Sequence, residues 1–156
     1  MSDREPVGRK QVQLALQSKA KEAVDAYNTA NSVNYPLKYE NVALSAADQT
    51  LIDNGSPYIR FTVTYGTTVV PLNTLDESDH PGVAIARILT KRGAGTLLAI
   101  DISDYIVNHF DNIHYVNNSL RVNRVAAGVE GKVDGEHWTE KVYIYFEYTT
   151  KGINNG

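Results

Sequence analysis

Residues 83–110 read VAIARILTKRGAGTLLAIDISDYIVNHF, and this stretch decides the fold class. From Val83 to Leu89 the side chains alternate: Val83, Ile85 and Arg87 on one side, Ala84, Ala86 and Ile88 on the other. That is the two-residue period of a strand. Lys91-Arg92-Gly93-Ala94-Gly95 then breaks the period, because two glycines so close together let the backbone turn sharply. From Thr96, a candidate N-cap, the period becomes helical. Leu98, Ile102, Tyr105, Ile106 and His109 fall on one face, and Asp101, Asp104, Asn108 and Asp111 on another. A strand, a glycine turn and an amphipathic helix in this order predict a helix packed back onto a sheet.

Working outward toward the N-terminus, Arg9 to Ala30 carries Val12, Leu16, Ala20, Ala23, Tyr27 and Ala30 at three- and four-residue steps, with no glycine or proline between them. It predicts a helix ended by Asn31 to Asn34. Pro36 to Leu44 reads as a short strand with Leu37, Tyr39 and Val42 inward, and Ser45 to Ser56 as a loop. Tyr58 to Tyr65 alternates cleanly, with Ile59, Phe61, Val63 and Tyr65 opposite Tyr58, Arg60, Thr62 and Thr64. Gly66 marks a bulge, Thr67 to Leu72 extends the strand, and Pro71 places that end at an edge. Asn73 to Pro81 (NTLDESDHP) reads as an exposed polar connection, and both loops are expected to be mobile until a partner orders them.

Toward the C-terminus, a turn over Asp111 to Ser119 includes a short strand near Ile113 to Val116. Leu120 to Ala126 alternates Leu120, Val122 and Arg124 against Arg121, Asn123 and Val125. Gly128 to Gly135 is glycine-rich and reads as flexible. Trp138 to Thr150 is the last strand, with Val142, Ile144, Phe146 and Tyr148 on one side and Tyr143, Tyr145 and Glu147 on the other. Aromatics on both sides imply burial of both, or one side kept for a partner. The expected fold is therefore α+β, a mostly antiparallel sheet with two helices on one face in the order α-β-β-β-α-β-β. No internal repeat or second domain is visible, so residues 1–156 read as one domain with flexible ends at 1–8 and 151–156.

At 156 residues, 42% apolar and 21% charged, the chain suits a globular domain with a real core. A net charge of −3 gives no electrostatic case for specific nucleic-acid binding, and the basic residues are dispersed along the chain apart from Lys91-Arg92. The absence of cysteine excludes disulfides, thiolate nucleophiles and cysteine-ligated metals, and fits a reducing cytoplasm. No apolar run approaches the roughly 18–20 residues of a membrane span, and the polar start MSDREPVGRK lacks the apolar run of a signal peptide.

Arg92-Gly93-Ala94-Gly95-Thr96 sits where a phosphate loop would, between strand and helix, but has neither the lysine nor the spacing of one, nor the third glycine of a dinucleotide fingerprint. The four histidines, His80, His109, His114 and His137, lack the spacing of helical metal ligands. No serine lies in a GxSxG elbow. The reading is a non-enzyme with no catalytic, cofactor or metal site. Ten tyrosines, a two-faced aromatic last strand and polar loops point instead to an assembly protein.

Several stretches resemble the tail terminator (tail completion, minor tail) proteins of long-tailed bacteriophages. They are the N-terminal helix leading to Tyr39-Glu40-Asn41-Val42, the Pro57 to Val63 strand (PYIRFTV), the strand, glycine turn and helix of Val83 to Phe110, and the final strands closing on Trp138 to Tyr148. NTLDESDHP replaces the glycine-rich stretch that usually precedes the family's central strand. The resemblance implies a hexameric ring that caps the tail tube, stops its polymerisation and meets the head's connector. It implies a location in the virion after assembly in the host cytoplasm, and no cofactor. Expected partners are further copies of the chain, the tail-tube protein and a head-completion or connector protein, with no membrane. Other neck proteins, the tail-tube subunit and a small non-phage binding or adaptor domain are the alternatives. For the ring contact we expect Lys91 and Arg92 to lie near a neighbour's acidic Asp76, Glu77 and Asp79.

Overall fold

A computed structural model describes residues 8–40, 42–66, 77–91, 96–111, 114–115, 119–128, 132–134 and 137–151. The elements are α1 (Arg9–Asn31), β1 (Leu37–Tyr39), α2 (Ala46–Asp53), β2 (Tyr58–Tyr65), β3 (Glu77–Lys91), α3 (Leu97–Phe110), β4 (His114–Tyr115), β5 (Leu120–Ala127), β6 (Lys132–Asp134) and β7 (His137–Lys151). The fold is α+β. Its sheet runs β1-β2-β3-β7-β5-β4, with β6 also paired to β7. Among the described residues only β1–β2 pairs in parallel; the other pairs are antiparallel.

The sheet is built on β3 and β7, which pair along their whole length from Glu77↔Lys151 to Lys91↔His137. Their inward residues form continuous rows with the neighbouring strands: Ile59, Ile88 and Glu140; Phe61, Ala86 and Val142; Val63, Ala84 and Ile144. All nine are buried, and α1 and α3 cover them with Val12, Leu16, Ala23, Ile102, Ile106 and Phe110. The Phe61 and Phe110 rings stack 6.0 Å apart across the sheet–helix boundary, and Tyr27 of α1 meets Tyr105 of α3 edge-on at 5.2 Å. The small side chains Ala84 and Ala86 lie beneath this layer, where larger groups would push the helices off the sheet. That settles the orientation of β3, and it leaves Ile85, on the side of Val83 and Arg87, half-buried on the other face.

Polar bonds fix α1 at both ends. The Gly8 N–H donates to Gln11 Oε1 at 3.0 Å, and Ser32 closes the helix in the left-handed region at φ 54°. Asn28 then clamps the exit: its Oδ1 accepts from the Tyr35 N–H at 3.1 Å and its Nδ2 donates to the Tyr35 carbonyl at 3.2 Å. The Tyr39 hydroxyl donates to the Gln17 carbonyl at 3.1 Å and the Tyr65 hydroxyl to Gln13 Oε1 at 2.6 Å, which ties α1 to the sheet.

Several expectations need correcting. Ser45 to Ser56 is mostly helix α2, capped by Ser45 Oγ, which accepts from the Asp48 N–H at 3.1 Å. This third helix and the short strands β4 and β6 lengthen the expected element order. Residues 77–81 of NTLDESDHP belong to β3, residues 73–76 lie outside the described residues, and residues 132–134 of the glycine-rich stretch are strand β6. Thr96 precedes α3 but makes no side-chain cap. Leu98 is half-buried, Ala30 is exposed, and Val42 is 52% exposed rather than inward. The bulge lies not at Gly66, which donates to the Pro81 carbonyl at 2.8 Å beside an unbroken β2–β3 register, but in β5 between Val122 and Arg124. It sends Arg124 to the face opposite Leu120 and Val122, against the simple alternation expected there. Residues 1–7, 67–72, 92–95 and 152–156 lie outside the described residues, as do the expectations placed on them; Lys151 ends β7.

Gly82 stands directly opposite Phe146, and a β-carbon there would lie 2.3 Å from Cζ of the ring, well inside van der Waals contact. The aromatic covers the glycine as a side chain would. Gly82→Ala should therefore cost about 1–3 kcal/mol through overpacking, read as a lower urea midpoint at unchanged slope.

Burial holds the phenols of Tyr27, Tyr39, Tyr65 and Tyr148 above their usual pKa of 10.0. A raised pKa means that the folded state keeps its proton longer than the unfolded chain does. Their contribution is fully present below pH 10 and is lost as pH rises through the folded values. Denaturant midpoints measured between pH 8 and pH 11 should be flat at first and then fall. Tyr65→Phe should make that fall shallower.

Candidate interaction surface

Helices α1 and α3 cover one face of the sheet, and among the described residues no helix packs on the other. Outward positions of four strands meet there. Lys38 of β1 pairs with Arg60 of β2, Arg60 with Arg87 of β3, and Arg87 with Lys141 of β7. Paired residues share a face, so the four cations form one row perpendicular to the strands, about 14 Å long at the usual strand spacing. Among the described residues no carboxylate forms an ion pair with any of them. Like charges directly opposite one another destabilise a sheet. Arg87 Nη1 donates to Thr62 Oγ1 at 3.1 Å, the one polar bond made by a side chain of the row among the described residues. Glu40 sits at its β1 end, where its Oε1 accepts from the Val63 N–H at 3.0 Å. An open hollow of about 440 Å³ lies there, bounded in part by Lys38, Glu40, Arg60 and Thr62.

Beside the row Tyr143 and Tyr145 stack with ring centres 6.3 Å apart, and Tyr145 is 40% exposed. The Arg124 guanidinium lies 5.9 Å from the centre of the Tyr145 ring. Further along, Arg121 and Glu147 form an ion pair. This face is thus basic and aromatic.

The exposed stripe of α3 has the opposite character. Leu97, Ile100, Asp101, Asp104 and Asn108 recur at three- and four-residue steps, and all are exposed. Leu97 is 76% and Ile100 42% exposed, large values for apolar side chains. No cation among the described residues is ion-paired with Asp101 or Asp104.

Of the residues expected at a subunit contact, Arg92 and Asp76 lie outside the described residues. Lys91 is exposed at the end of β3. Glu77 begins the same strand, and the Asp79 carboxylate accepts from Thr149 Oγ1 at 2.9 Å. Twelve residues of strand separate Lys91 from Asp79, about 40 Å, so the two ends could meet only between different copies. The expectation that basic residues are dispersed needs correction, since Lys38, Arg60, Arg87 and Lys141 are brought together by strand register.

The histidines are spread across the molecule. His80 stacks on Tyr148 at 4.7 Å, a His109 ring nitrogen lies 2.7 Å from the Tyr105 carbonyl, His114 is in β4, and His137 meets Tyr58 edge-on at 5.9 Å. Among the described residues no group of three or more His, Asp or Glu could hold a metal ion, and no helix is long and apolar enough to cross a membrane.

No family model and no curated protein matches the chain. Among solved structures, one superposes with a TM-score of 0.60, covering 92% of this chain and 98% of its own at 14% identity. Its name states no activity, and likeness at this identity is a likeness of fold alone.

Proposed function

We propose that the chain is a structural subunit of a phage tail, a tail terminator that closes into a ring on the tail tube, ends its growth and presents a surface to the head connector. The observation that carries this reading is the second face of the sheet, which among the described residues has no helix layer and displays tyrosines and cations without an ion-paired carboxylate. A face of that kind is an interface in search of a partner. The order of elements adds to it through the resemblance of Tyr39–Val42, Pro57–Val63 and Val83–Phe110 to tail terminators.

In this reading the protein has no catalytic residue and no cofactor, works in the virion, and binds other copies, the tail-tube protein and a head-completion or connector protein. Stopping growth requires one axial face that accepts a tube subunit and another that refuses it. Lys91 and Arg92 meet Asp76 and Glu77 of the neighbour at the rim, where each exposed ion pair is worth only about 0–1 kcal/mol and sets register more than strength. Asp79 is already engaged by Thr149 and contributes less. Deleting the gene from its phage tests the reading. Tails of abnormal length that fail to join heads are expected. Tails of normal length beside leaking, DNA-filled heads would make the chain a head-completion protein instead.

A further inference from the structure

We infer that the basic, aromatic face of the sheet docks onto the exposed stripe of α3 in a second copy of this chain. The inference rests on the ring reading and says which surfaces meet. Three observations carry it.

The row Lys38, Arg60, Arg87 and Lys141 places four cations opposite one another with no ion-paired carboxylate among the described residues. Such a row raises the free energy of the isolated protomer, and an external anionic surface would relieve it. The α3 stripe offers that surface, because Asp101 and Asp104 lie one turn apart on it and are exposed. The apolar groups match as well. Leu97 and Ile100 flank the two carboxylates, and Tyr145, stacked on Tyr143, stands beside the cations. Aromatic side chains set among arginines are the usual anchors of a protein interface.

The alternative occupant, a nucleic-acid strand on the cations and tyrosines, would need no apolar stripe on α3 and gains nothing from a net charge of −3. Self-docking uses both surfaces. They lie on opposite sides of the protomer, since α3 covers the inner face of the sheet and turns its stripe away from it. The contact is therefore heterologous: every copy offers one surface of each kind, and repetition closes a ring when the rotation per copy permits.

Two double variants test it, each confirmed as folded by circular dichroism. One, R60E/K141E, makes the sheet face acidic. The other, D101K/D104K, makes the α3 stripe basic. Sedimentation at one concentration should give each variant alone as a monomer, with at least a tenfold weaker self-association than the unaltered chain. An equimolar mixture should regain the mass of the unaltered assembly, because the acidic sheet face of one variant meets the basic α3 stripe of the other, while the unaltered basic face and acidic stripe meet as before. If both variants alone keep that mass, the ring stands and the proposed faces are wrong. If the mixture stays monomeric, the faces do not meet. If the unaltered chain is itself monomeric, the ring reading fails first. If R60E/K141E assembles normally but loses binding to a single-stranded DNA oligonucleotide, the face belongs to nucleic acid and the inference is overturned.

Discussion

Phe110→Ala should destabilise the protein by about 3–5 kcal/mol, as deleting a buried phenyl ring does. Phe110 is the last residue of α3 and is fully buried, and its ring lies 6.0 Å from that of Phe61, itself 1% exposed in the middle of β2. The contact joins the helix layer to the sheet at the point where α3 ends. The loss is a large part of the roughly 5–15 kcal/mol that holds a domain folded. Phe61→Ala should cost a similar amount. The double variant should lose less than the sum, by about 0.5–1.5 kcal/mol, if the rings interact beyond the area they bury. Urea unfolding of the four chains measures this cycle. Strict additivity would mean that the two rings sit in separate parts of the core.

Ile102→Ala is the second large effect, at about 2–5 kcal/mol. Ile102 lies on the inner face of α3 at 1% exposure, next to Ser103 and one turn before Ile106, where α3 rests on β3, β5 and β7. Its neighbour Asp101 is exposed, so Asp101→Ala should change stability by no more than about 0.5 kcal/mol. The contrast between adjacent residues tests the helix face itself. A loss below about 1 kcal/mol for Ile102→Ala would show that this face is not the core.

Local periodicity carried much of the fold. The steps of Val12, Leu16, Ala20, Ala23 and Tyr27 set the extent of α1 to within a residue, and the alternations of β2 and β7 correctly separated Phe61, Val142, Ile144 and Phe146 from their outward neighbours. Where a segment depends on a distant partner, local pattern failed. ESDHP reads as a loop, yet it is strand because Glu147 to Lys151 pairs with it. Pro81 is tolerated there: its carbonyl accepts from Gly66, so its missing N–H is turned to the β2 side just past the end of β2, and no bond to β7 is lost. Helix α2 has no buried residue and so no apolar stripe to read, although Ser45 three residues before Asp48 was a usable start signal.

The interaction surface was the least legible part. Lys38, Arg60, Arg87 and Lys141 are far apart in the chain, and each looks like an ordinary outward residue of its strand. Only the register of three separate strand pairings places them in one row. The bulge in β5 hides Arg124 in the same way, since one extra residue carries it to the Tyr145 face. By contrast, the acidic stripe of α3 was visible from the spacing of Asp101 and Asp104, because a helix brings its own neighbours together.

The central claim is that this chain works as a ring of identical subunits. Its mass in solution, by light scattering across a range of concentrations and at two salt concentrations, tests this most directly. The account predicts a discrete species of about six times the 17.2 kDa protomer, weakened by added salt because charged groups contribute to the contact. A particle of 17.2 kDa that stays monomeric at every concentration and salt would contradict it.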